Sequence, residues 1–226
     1  MENISIIIPA LNEEEVVGRT LDALASIGEM VEVIVADGGS VDSTKTLAAT
    51  LSRVIDAPRG RARQMNAGAK AASGDILLFL HADSVLPEGA FGEIRRILSD
   101  PAVAGGGFSL RFDDPAYSFR LIENGSNWRA RCLGLVFGDQ GIFVRRSVFE
   151  RLNGFREITL MEDWDFSRRL GREGRVVVSV LPITTSSRRF RRYGVWRTVW
   201  RMQVIKALYL LGVAPERLSR IYEKRP

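Results

Sequence analysis

Two residue types that build disulfides and metal centres are almost absent from this sequence of 226 residues. Cys132 is the only cysteine, which excludes an internal disulfide and a zinc site made of several thiolates. We therefore predict that Cys132 is a small buried hydrophobic residue. Histidine is equally scarce, with His81 as its one representative.

Long apolar runs and nucleotide fingerprints are also missing. No run approaches the roughly 20 apolar residues that a membrane-spanning helix needs, and the first residues do not read as a signal peptide, so we expect a cytoplasmic protein. Neither a P-loop nor a Gly-x-Gly-x-x-Gly motif is present. A hydrophobic content of 46% excludes a disordered chain, and the length suits one α/β domain with a sizeable core.

Short apolar runs alternate with segments of helical periodicity, which predicts a mostly parallel sheet flanked by helices. A helix is expected to start at Asn12, because Asn12 and Glu15 have the spacing of a capping box. The last strand is expected to stop before Pro182, and Gly105–Gly107 are expected to let a neighbouring helix or a sugar approach the backbone.

His81 and Asp83 follow the buried run 76–80, at the edge of the sheet where ligands of open α/β sheets gather. Two residues apart on an extended chain, their side chains point the same way and can hold a divalent cation that in turn holds a diphosphate. The alternative is an ordinary turn before Pro87.

Other polar residues stand where a ligand or a purely structural role would explain them. Asp37 follows the second strand and can accept from a base or a ribose hydroxyl, or close a turn. Arg61 can reach phosphate or remain solvated. Asp139 and Gln140 interrupt an apolar run and are expected to face a cavity or a bound hydroxyl. Acids at 162, 163 and 165 suit a helix dipole, and one of them can serve as a general base.

The end of the chain is basic. Six arginines and no acid lie between Arg188 and Arg201, which indicates phosphate, an anionic membrane surface or nucleic acid as a partner. Nucleic acid is disfavoured because no exposed aromatic platform is interleaved with the arginines. Apolar residues from Trp196 to Leu211 predict a helix that lies on a membrane, docks on the domain or packs in a homodimer.

Taken together, the motifs resemble those of family 2 glycosyltransferases, which have the GT-A fold. The resemblance rests on segments in collinear order, namely residues 6–14, 37–44, 66–68, 81–83, 141–155 and 162–163. It implies a GT-A domain over residues 1–185, followed by a basic helical extension over residues 186–226. It also implies a nucleotide-diphosphate sugar as donor and an acceptor hydroxyl, with a lipid-linked acceptor at the inner face of the membrane left open.

The resemblance assigns roles on the nucleotide side. Pro9, Leu11, Glu13 and Asp37 would surround the nucleoside, with Asp37 on the base, and Arg61 would lie near the phosphates.

On the reaction side, Asp83 matches the last acid of an Asp-x-Asp element that binds Mg²⁺ or Mn²⁺, and His81 stands in place of its first acid. Asp163, with Glu162 beside it, matches the base that deprotonates the acceptor in an inverting transfer. The Gln-x-x-Arg-Trp element of processive polymerases is missing, which argues against a polymerising synthase.

Two other functions stay open at this point. A nucleotidyltransferase that makes sugar nucleotides would share the α/β layout and the metal, although a glycine-rich loop usually follows its first strand. A non-catalytic nucleotide-binding module that docks on a membrane would explain the incomplete metal motif and the basic end.

Overall fold

The computed structural model describes residues 2–223, which form one mixed eight-stranded sheet with helices on both faces. The strands are β1 (Ile4–Ala10), β2 (Glu32–Asp37), β3 (Arg53–Asp56), β4 (Ile76–Phe79), β5 (Ser84–Val85), β6 (Val103–Phe112), β7 (Ile142–Arg145) and β8 (Arg175–Thr185). Their spatial order is β3-β2-β1-β4-β7-β6-β8-β5. The first four strands in this order are parallel, β7 runs antiparallel to both its neighbours, and β6 pairs with β8 in parallel.

The helices fill the connections between these strands. They are α1 (Val17–Ser26), α2 (Thr44–Ala48), α3 (Arg61–Ala71), α4 (Ala90–Leu98), α5 (Tyr117–Leu133), α6 (Arg146–Arg151), α7 (Glu162–Glu173), α8 (Arg188–Tyr193), α9 (Val195–Leu210) and α10 (Pro215–Glu223). A short 3₁₀ turn occupies Gly138–Gln140. Within residues 2–223, every helix is too short or too polar to cross a bilayer.

The core lies on both faces of the sheet, as the apolar runs predicted. Ile6 and Ile8 of β1 pack on the side of α1 and α4, and Ile7 packs on the side of α3 and α7, because successive side chains of a strand face opposite ways. Gly68 lets α3 come close, since a Cβ added there would lie 2.3 Å from Ile7 Cγ2.

The first helix begins later than predicted. Asn12 does not cap α1, which starts only at Val17, because Asn12 adopts a left-handed backbone with φ of 55°. Its Oδ1 accepts from the Val41 N–H at 3.0 Å, and its own N–H donates to Ser40 Oγ at 2.9 Å. Asn12 therefore ties the loop after β1 to the loop after β2.

The last strand does not stop before Pro182. Phe108 of β6 lies opposite Ser179, but Ser109 lies opposite Pro182, so two residues of β8 bulge out of the ladder at this point. The bulge lets the strand pass its proline and continue to Thr185, where β8 also pairs with β5.

The glycines of β6 allow close approach of the neighbouring strands as well as of the expected helix. A Cβ on Gly105 would lie 2.6 Å from Phe143 O, and one on Gly106 would lie 2.0 Å from Val177 O. The closest neighbours are thus the adjacent strands β7 and β8, and Leu170 of helix α7 follows, with its Cδ2 3.0 Å from a Cβ on Gly105.

Cys132, expected to be buried, is exposed on α5. Helical spacing places it near a face of α5 on which Trp128 is also exposed. A periodicity of apolar residues shows which side chains share a face, but the packing of the rest of the chain decides whether that face is covered.

The predicted extension packs onto the sheet domain as far as it is described, and residues 224–226 lie outside the described residues. Ile205 of α9 and Leu218 of α10 are buried against Phe137, Met161 and Trp164. The opposite face of α9 is open, with its two tryptophans, Trp196 and Trp200, 61% and 72% exposed.

Candidate active site

His81 and Asp83 come directly after β4, at the edge where the parallel strands β1 and β2 also end. Within the described residues, His81 Nε2 is buried without a hydrogen-bond partner. Burial, with a smaller contribution from the charge of Arg61, lowers the pKa of His81 to about 3. The imidazole is therefore neutral at pH 7, and in the tautomer protonated at Nδ1 its Nε2 can coordinate a metal.

A divalent cation suits this pair in chemistry, but the pair alone does not complete a coordination shell. Imidazole nitrogen and carboxylate oxygen are both ligands of Mn²⁺, and oxygen is the ligand that Mg²⁺ prefers. Residues 2–223 contain no group of three or more histidine, cysteine or acidic side chains placed to hold a metal. A cation on His81 and Asp83 would therefore take its other ligands from water and a bound phosphate.

The first turn of α7 brings two acids to the same place. Met161, with φ of 70°, turns the chain into the helix. Asp163 accepts two backbone hydrogen bonds, from Gly138 N–H to Oδ2 at 3.1 Å and from Trp164 N–H to Oδ1 at 2.7 Å. These bonds fix the orientation of the carboxylate.

Gly138 joins the two halves of the site. Its N–H binds Asp163, and a Cβ added to it would lie 2.3 Å from His81 Nε2. His81 and Asp163 therefore lie on either side of a single glycine, and no larger residue fits between them without moving the imidazole.

Glu162 is the most strongly perturbed acid of the site. Its side chain is buried, and its Oε1 lies 3.6 Å from Arg61 Nη1, whose own side chain is 49% exposed. Burial, followed by repulsion from Asp163, raises the pKa of Glu162 to about 7, although Arg61 opposes the shift. Glu162 is thus divided between its neutral and charged forms near pH 7.

One cavity of about 210 Å³ collects these side chains. Six of the residues predicted from the sequence line it, namely Arg61, His81, Asp83, Asp139, Glu162 and Asp163. Side chains from four separate parts of the chain therefore meet above one edge of the sheet.

Comparison with known proteins agrees with this geometry. The model of the family described as glycosyl transferase family 2 matches residues 5–152, well over half of the chain. The chain belongs to this family. The resemblance noted in its motifs is thereby confirmed, and glycosyl transfer is favoured over the nucleotidyltransferase alternative.

Two curated relatives of this family 2 chain are glycosyltransferases by name. It is 25% identical over 197 residues to "Probable glycosyltransferase YdaM" of Bacillus subtilis, an alignment that covers 75% of this chain and 47% of YdaM. It is 29% identical over 203 residues to the "PGL/p-HBAD biosynthesis glycosyltransferase" of Mycobacterium bovis, which covers 81% of this chain and 75% of that protein. The family 2 chain thus spans less than half the length of YdaM.

The fold is shared with a solved structure. The mannosyltransferase PcManGT from Pyrobaculum calidifontis, in complex with GDP-Man and Mn²⁺, superimposes with a TM-score of 0.73 at 18% identity. The match covers 92% of the family 2 chain and 62% of PcManGT. The predicted GT-A fold is therefore confirmed.

Asp139 and Gln140, predicted as a pair, have different surroundings in this family 2 chain. Asp139 lines the cavity, its Oδ1 is buried without a partner in the described structure, and burial raises its pKa while Arg129 opposes the rise. Gln140 does not line the cavity: its Oε1 accepts from Arg129 and from Phe137 N–H, and its Nε2 donates to Phe108 O. The packing thus uses Gln140 to hold the 3₁₀ turn that carries Asp139.

The predicted nucleotide-side residues lie around the ends of β1 and β2. Asp37 is buried; its Oδ2 accepts from the N–H groups of Gly39 and Ser40, while Oδ1 has no partner in the part of the chain that the structure describes. The turn-forming role and a free acceptor oxygen are thus both present. Pro9 and Leu11 are partly buried and line neither the 210 Å³ cavity nor the larger cleft beside it. Glu13 lines that larger cleft.

The sequence interpretation missed the contribution of the C-terminal segment to the cavity wall. Arg189, Phe190, Lys206 and Tyr222 all line it. The run of arginines was a signal for an anionic ligand, but nothing in the local pattern predicted that α8 to α10 fold back over the acids. Tyr222, which lies within van der Waals reach of Arg189 with 3.8 Å between Cζ and the ring centre, carried no signal.

Proposed function

We propose that this family 2 chain transfers a sugar from a nucleotide-diphosphate sugar to an acceptor hydroxyl, with inversion at the anomeric carbon. The observation that carries this proposal is the shared cavity: His81 and Asp83 from the end of β4 and Asp163 from the start of α7 line one space. A leaving diphosphate and an attacking hydroxyl can therefore be held on opposite sides of one sugar.

Asp163 is the general base of the proposed reaction. The N–H groups of Gly138 and Trp164 hold its carboxylate in one orientation, which a base needs in order to meet the acceptor proton as the hydroxyl oxygen attacks. One displacement on the face opposite the leaving group inverts the configuration. Glu162 lies beside Asp163. Because the pKa of Glu162 is raised to about 7, binding of a charged ligand nearby can change its protonation state.

The leaving group lies on the other side of the cavity. His81 and Asp83 would hold Mg²⁺ or Mn²⁺, which supplies positive charge where negative charge builds on the departing diphosphate. Arg61 adds a guanidinium at the same edge, half-exposed to the cavity and close to Glu162. The relatives support a cation in general terms, since PcManGT was solved with Mn²⁺.

The nucleoside of the donor lies over the ends of β1 and β2 in this proposal. Asp37 Oδ1, buried and without a partner among the described residues, accepts from the base or from a ribose hydroxyl. Pro9, Leu11 and Glu13 border the nucleoside from the loop after β1. The solved neighbours bind donors with different bases, as PcManGT holds GDP-Man and the TarS fragment of S. aureus holds UDP-GlcNAc.

The acceptor approaches from the side of Asp139. Asp139 Oδ1 is buried at the cavity wall with no partner among residues 2–223, so it is available to an acceptor hydroxyl. A membrane contact belongs to the same proposal, because the exposed tryptophans of α9, Trp196 and Trp200, alternate with arginines along the helix. A lipid-linked acceptor would then reach the cavity from the membrane surface, and packing of this face in a homodimer is the competing arrangement.

The test is a screen of UDP- and GDP-sugars with Mn²⁺ or Mg²⁺, read as release of nucleoside diphosphate. We expect turnover with a subset of donors, and no release of pyrophosphate from a nucleoside triphosphate and a sugar phosphate. The variant Asp163→Asn should lose transfer by at least about a thousandfold, as expected for loss of a base that acts with positioning. This variant should still bind the donor, as measured by the rise in melting temperature on adding the donor. Full activity of Asp163→Asn would remove Asp163 from the mechanism.

A further inference from the structure

Beside the cavity lies a larger cleft of about 860 Å³, between the loop after β1 and the helices α8 and α9. Here it is named the arginine cleft. Its helical wall carries five guanidinium groups, from Arg188, Arg189, Arg192, Arg197 and Arg201. Residues 174–215, which supply this wall, contain no aspartate or glutamate. Such a wall attracts anions strongly.

The opposite wall carries four acids, of which Glu13 and Glu15 face Arg188 and the other two hold the loop after β2. Glu14 Oε2 accepts from Ser43 N–H at 2.9 Å, and Asp42 Oδ1 accepts from the N–H and the hydroxyl of Thr44 at 3.0 and 2.6 Å. Both carboxylates are therefore used to hold the loop after β2. The carboxylates that pair with the arginine wall do so through Arg188.

The arginines differ in what they already bind. Arg188 pairs with Glu13, and its Nη1 lies 3.6 Å from Glu15. In contrast, Arg192 and Arg197 are exposed and pair with no carboxylate of the described residues. Arg189 donates to the Tyr222 hydroxyl and stacks on its ring, and among the described residues no carboxylate pairs with it. Arginine binds phosphate through two parallel N–H donors, so these three groups suit a phosphoryl ligand.

The arginine cleft adjoins the 210 Å³ cavity. Arg189, Met202 and Tyr222 line both spaces, so the two share one wall of side chains. The groups proposed for the donor diphosphate, His81 and Asp83, do not line the arginine cleft. The proposed diphosphate site and the arginine cleft are thus lined by different side chains, although Glu13, placed beside the nucleoside, also lines the cleft.

We infer that the arginine cleft binds the phosphoryl group of a phosphorylated acceptor, whose free hydroxyl then reaches the cavity of Asp163. The identification of the ligand as an acceptor rests on the proposed function. The phosphoryl-binding site itself does not depend on that function. Two sources share the chemistry, a soluble phosphate ester and the phosphate headgroup of a lipid.

The experiment measures binding of glycerol 3-phosphate to the full chain by calorimetry, without metal or donor. We expect wild-type binding that weakens with salt. The double variant Arg192→Gln with Arg197→Gln should bind roughly ten- to a hundredfold more weakly, the range expected for loss of one or two charge-assisted contacts. The matched control is Arg191→Gln, because Arg191 is next to Arg192 on α8 but pairs with Asp114 outside the cleft.

Three results would overturn the inference. They are no binding of glycerol 3-phosphate by the wild type at millimolar concentration, equal weakening by the control variant, and displacement of glycerol 3-phosphate by a nucleoside diphosphate with Mn²⁺. The last result would show that the arginines of the cleft bind the donor. Binding of both ligands together, with loss only in the double variant, supports the acceptor site.

A second arm separates the two sources. Sedimentation with vesicles of phosphatidylcholine and phosphatidylglycerol should be weaker in the double variant if the headgroup of a lipid is the ligand. If a soluble ester is the ligand, vesicle binding is equal in the two proteins while binding of glycerol 3-phosphate still differs. The calorimetry needs no turnover. A chain that binds glycerol 3-phosphate but transfers no sugar would therefore contradict the proposed function and leave the phosphoryl-binding site supported.

Discussion

The buried carboxyl of Glu162 makes the stability of the protein depend on pH in a way that one substitution can isolate. Burial and the neighbouring Asp163 raise the pKa of Glu162 from 4.5 to about 7. The folded chain therefore binds more protons at this group than the unfolded chain between those two values. By linkage, the contribution of Glu162 is most favourable below pH 4.5 and is lost as the pH rises through 7.

The magnitude follows from the shift. A pKa raised from 4.5 to about 7 corresponds to roughly 3 to 4 kcal/mol, and Glu162 is only 3% exposed, so solvent screening reduces this free energy little. The variant Glu162→Gln keeps the shape of the side chain and cannot ionise. We expect it to match the wild type in free energy of unfolding near pH 4.5 and to exceed it by about 3 kcal/mol at pH 8.5.

Urea unfolding followed by tryptophan fluorescence at a series of pH values measures this difference. Glu157→Gln is the matched control, because Glu157 is exposed on the surface and pairs with Arg63 instead of the site arginine. Parallel stability profiles for the wild type and Glu162→Gln across pH 5 to 8.5 would refute the assignment of a raised pKa to this buried acid.

Three further predictions test other parts of the structure. Gly138→Ala should weaken thermal stabilisation by Mn²⁺ with a nucleoside diphosphate at least about tenfold, because the new methyl group displaces the imidazole of His81; unchanged stabilisation would remove His81 from the cation site. Leu218→Ala should lower the free energy of unfolding by about 3 kcal/mol, the usual cost for a fully buried leucine, whereas an unchanged value would show that α10 does not dock. Trp196→Ala with Trp200→Ala should reduce sedimentation with anionic vesicles and change stability by less than about 0.5 kcal/mol, because both rings are exposed; retained sedimentation would contradict the membrane contact.

Local sequence patterns predicted those strands and helices whose positions are set by residues close together in the chain. The sequence predicted a buried apolar run at 76–80 before His81, and the structure has β4 at Ile76–Phe79. Apolar periodicity, glycine and turn residues act within a few positions of the chain, so they are readable without the fold. The errors at Asn12 and Pro182 have long-range causes, namely hydrogen bonds from a distant loop and a bulge that depends on the neighbouring strand.

The candidate site divides in the same way. His81, Asp83 and Asp163 were found because polar residues at strand ends and helix starts are visible in the sequence, and the family resemblance gave them roles. Tyr222 and Lys206 were missed because their places in the cavity wall depend on how the last helices fold back. Gln140 was expected to face a cavity or a bound hydroxyl because an interior amide needs partners, and the sequence could not show that Arg129 and Phe108 supply them.

The two sides of the reaction centre are encoded in separate stretches of the chain. The residues proposed to hold the donor lie before residue 84, and those that form the shared wall between the two spaces, Arg189, Met202 and Tyr222, come from the last forty residues. In the proposed arrangement, an exchange of the final helices between relatives would change the shared wall and leave the residues proposed for the donor as they were. The proposal therefore predicts that acceptor preference can diverge through a terminal segment, without disturbing the sheet beneath it.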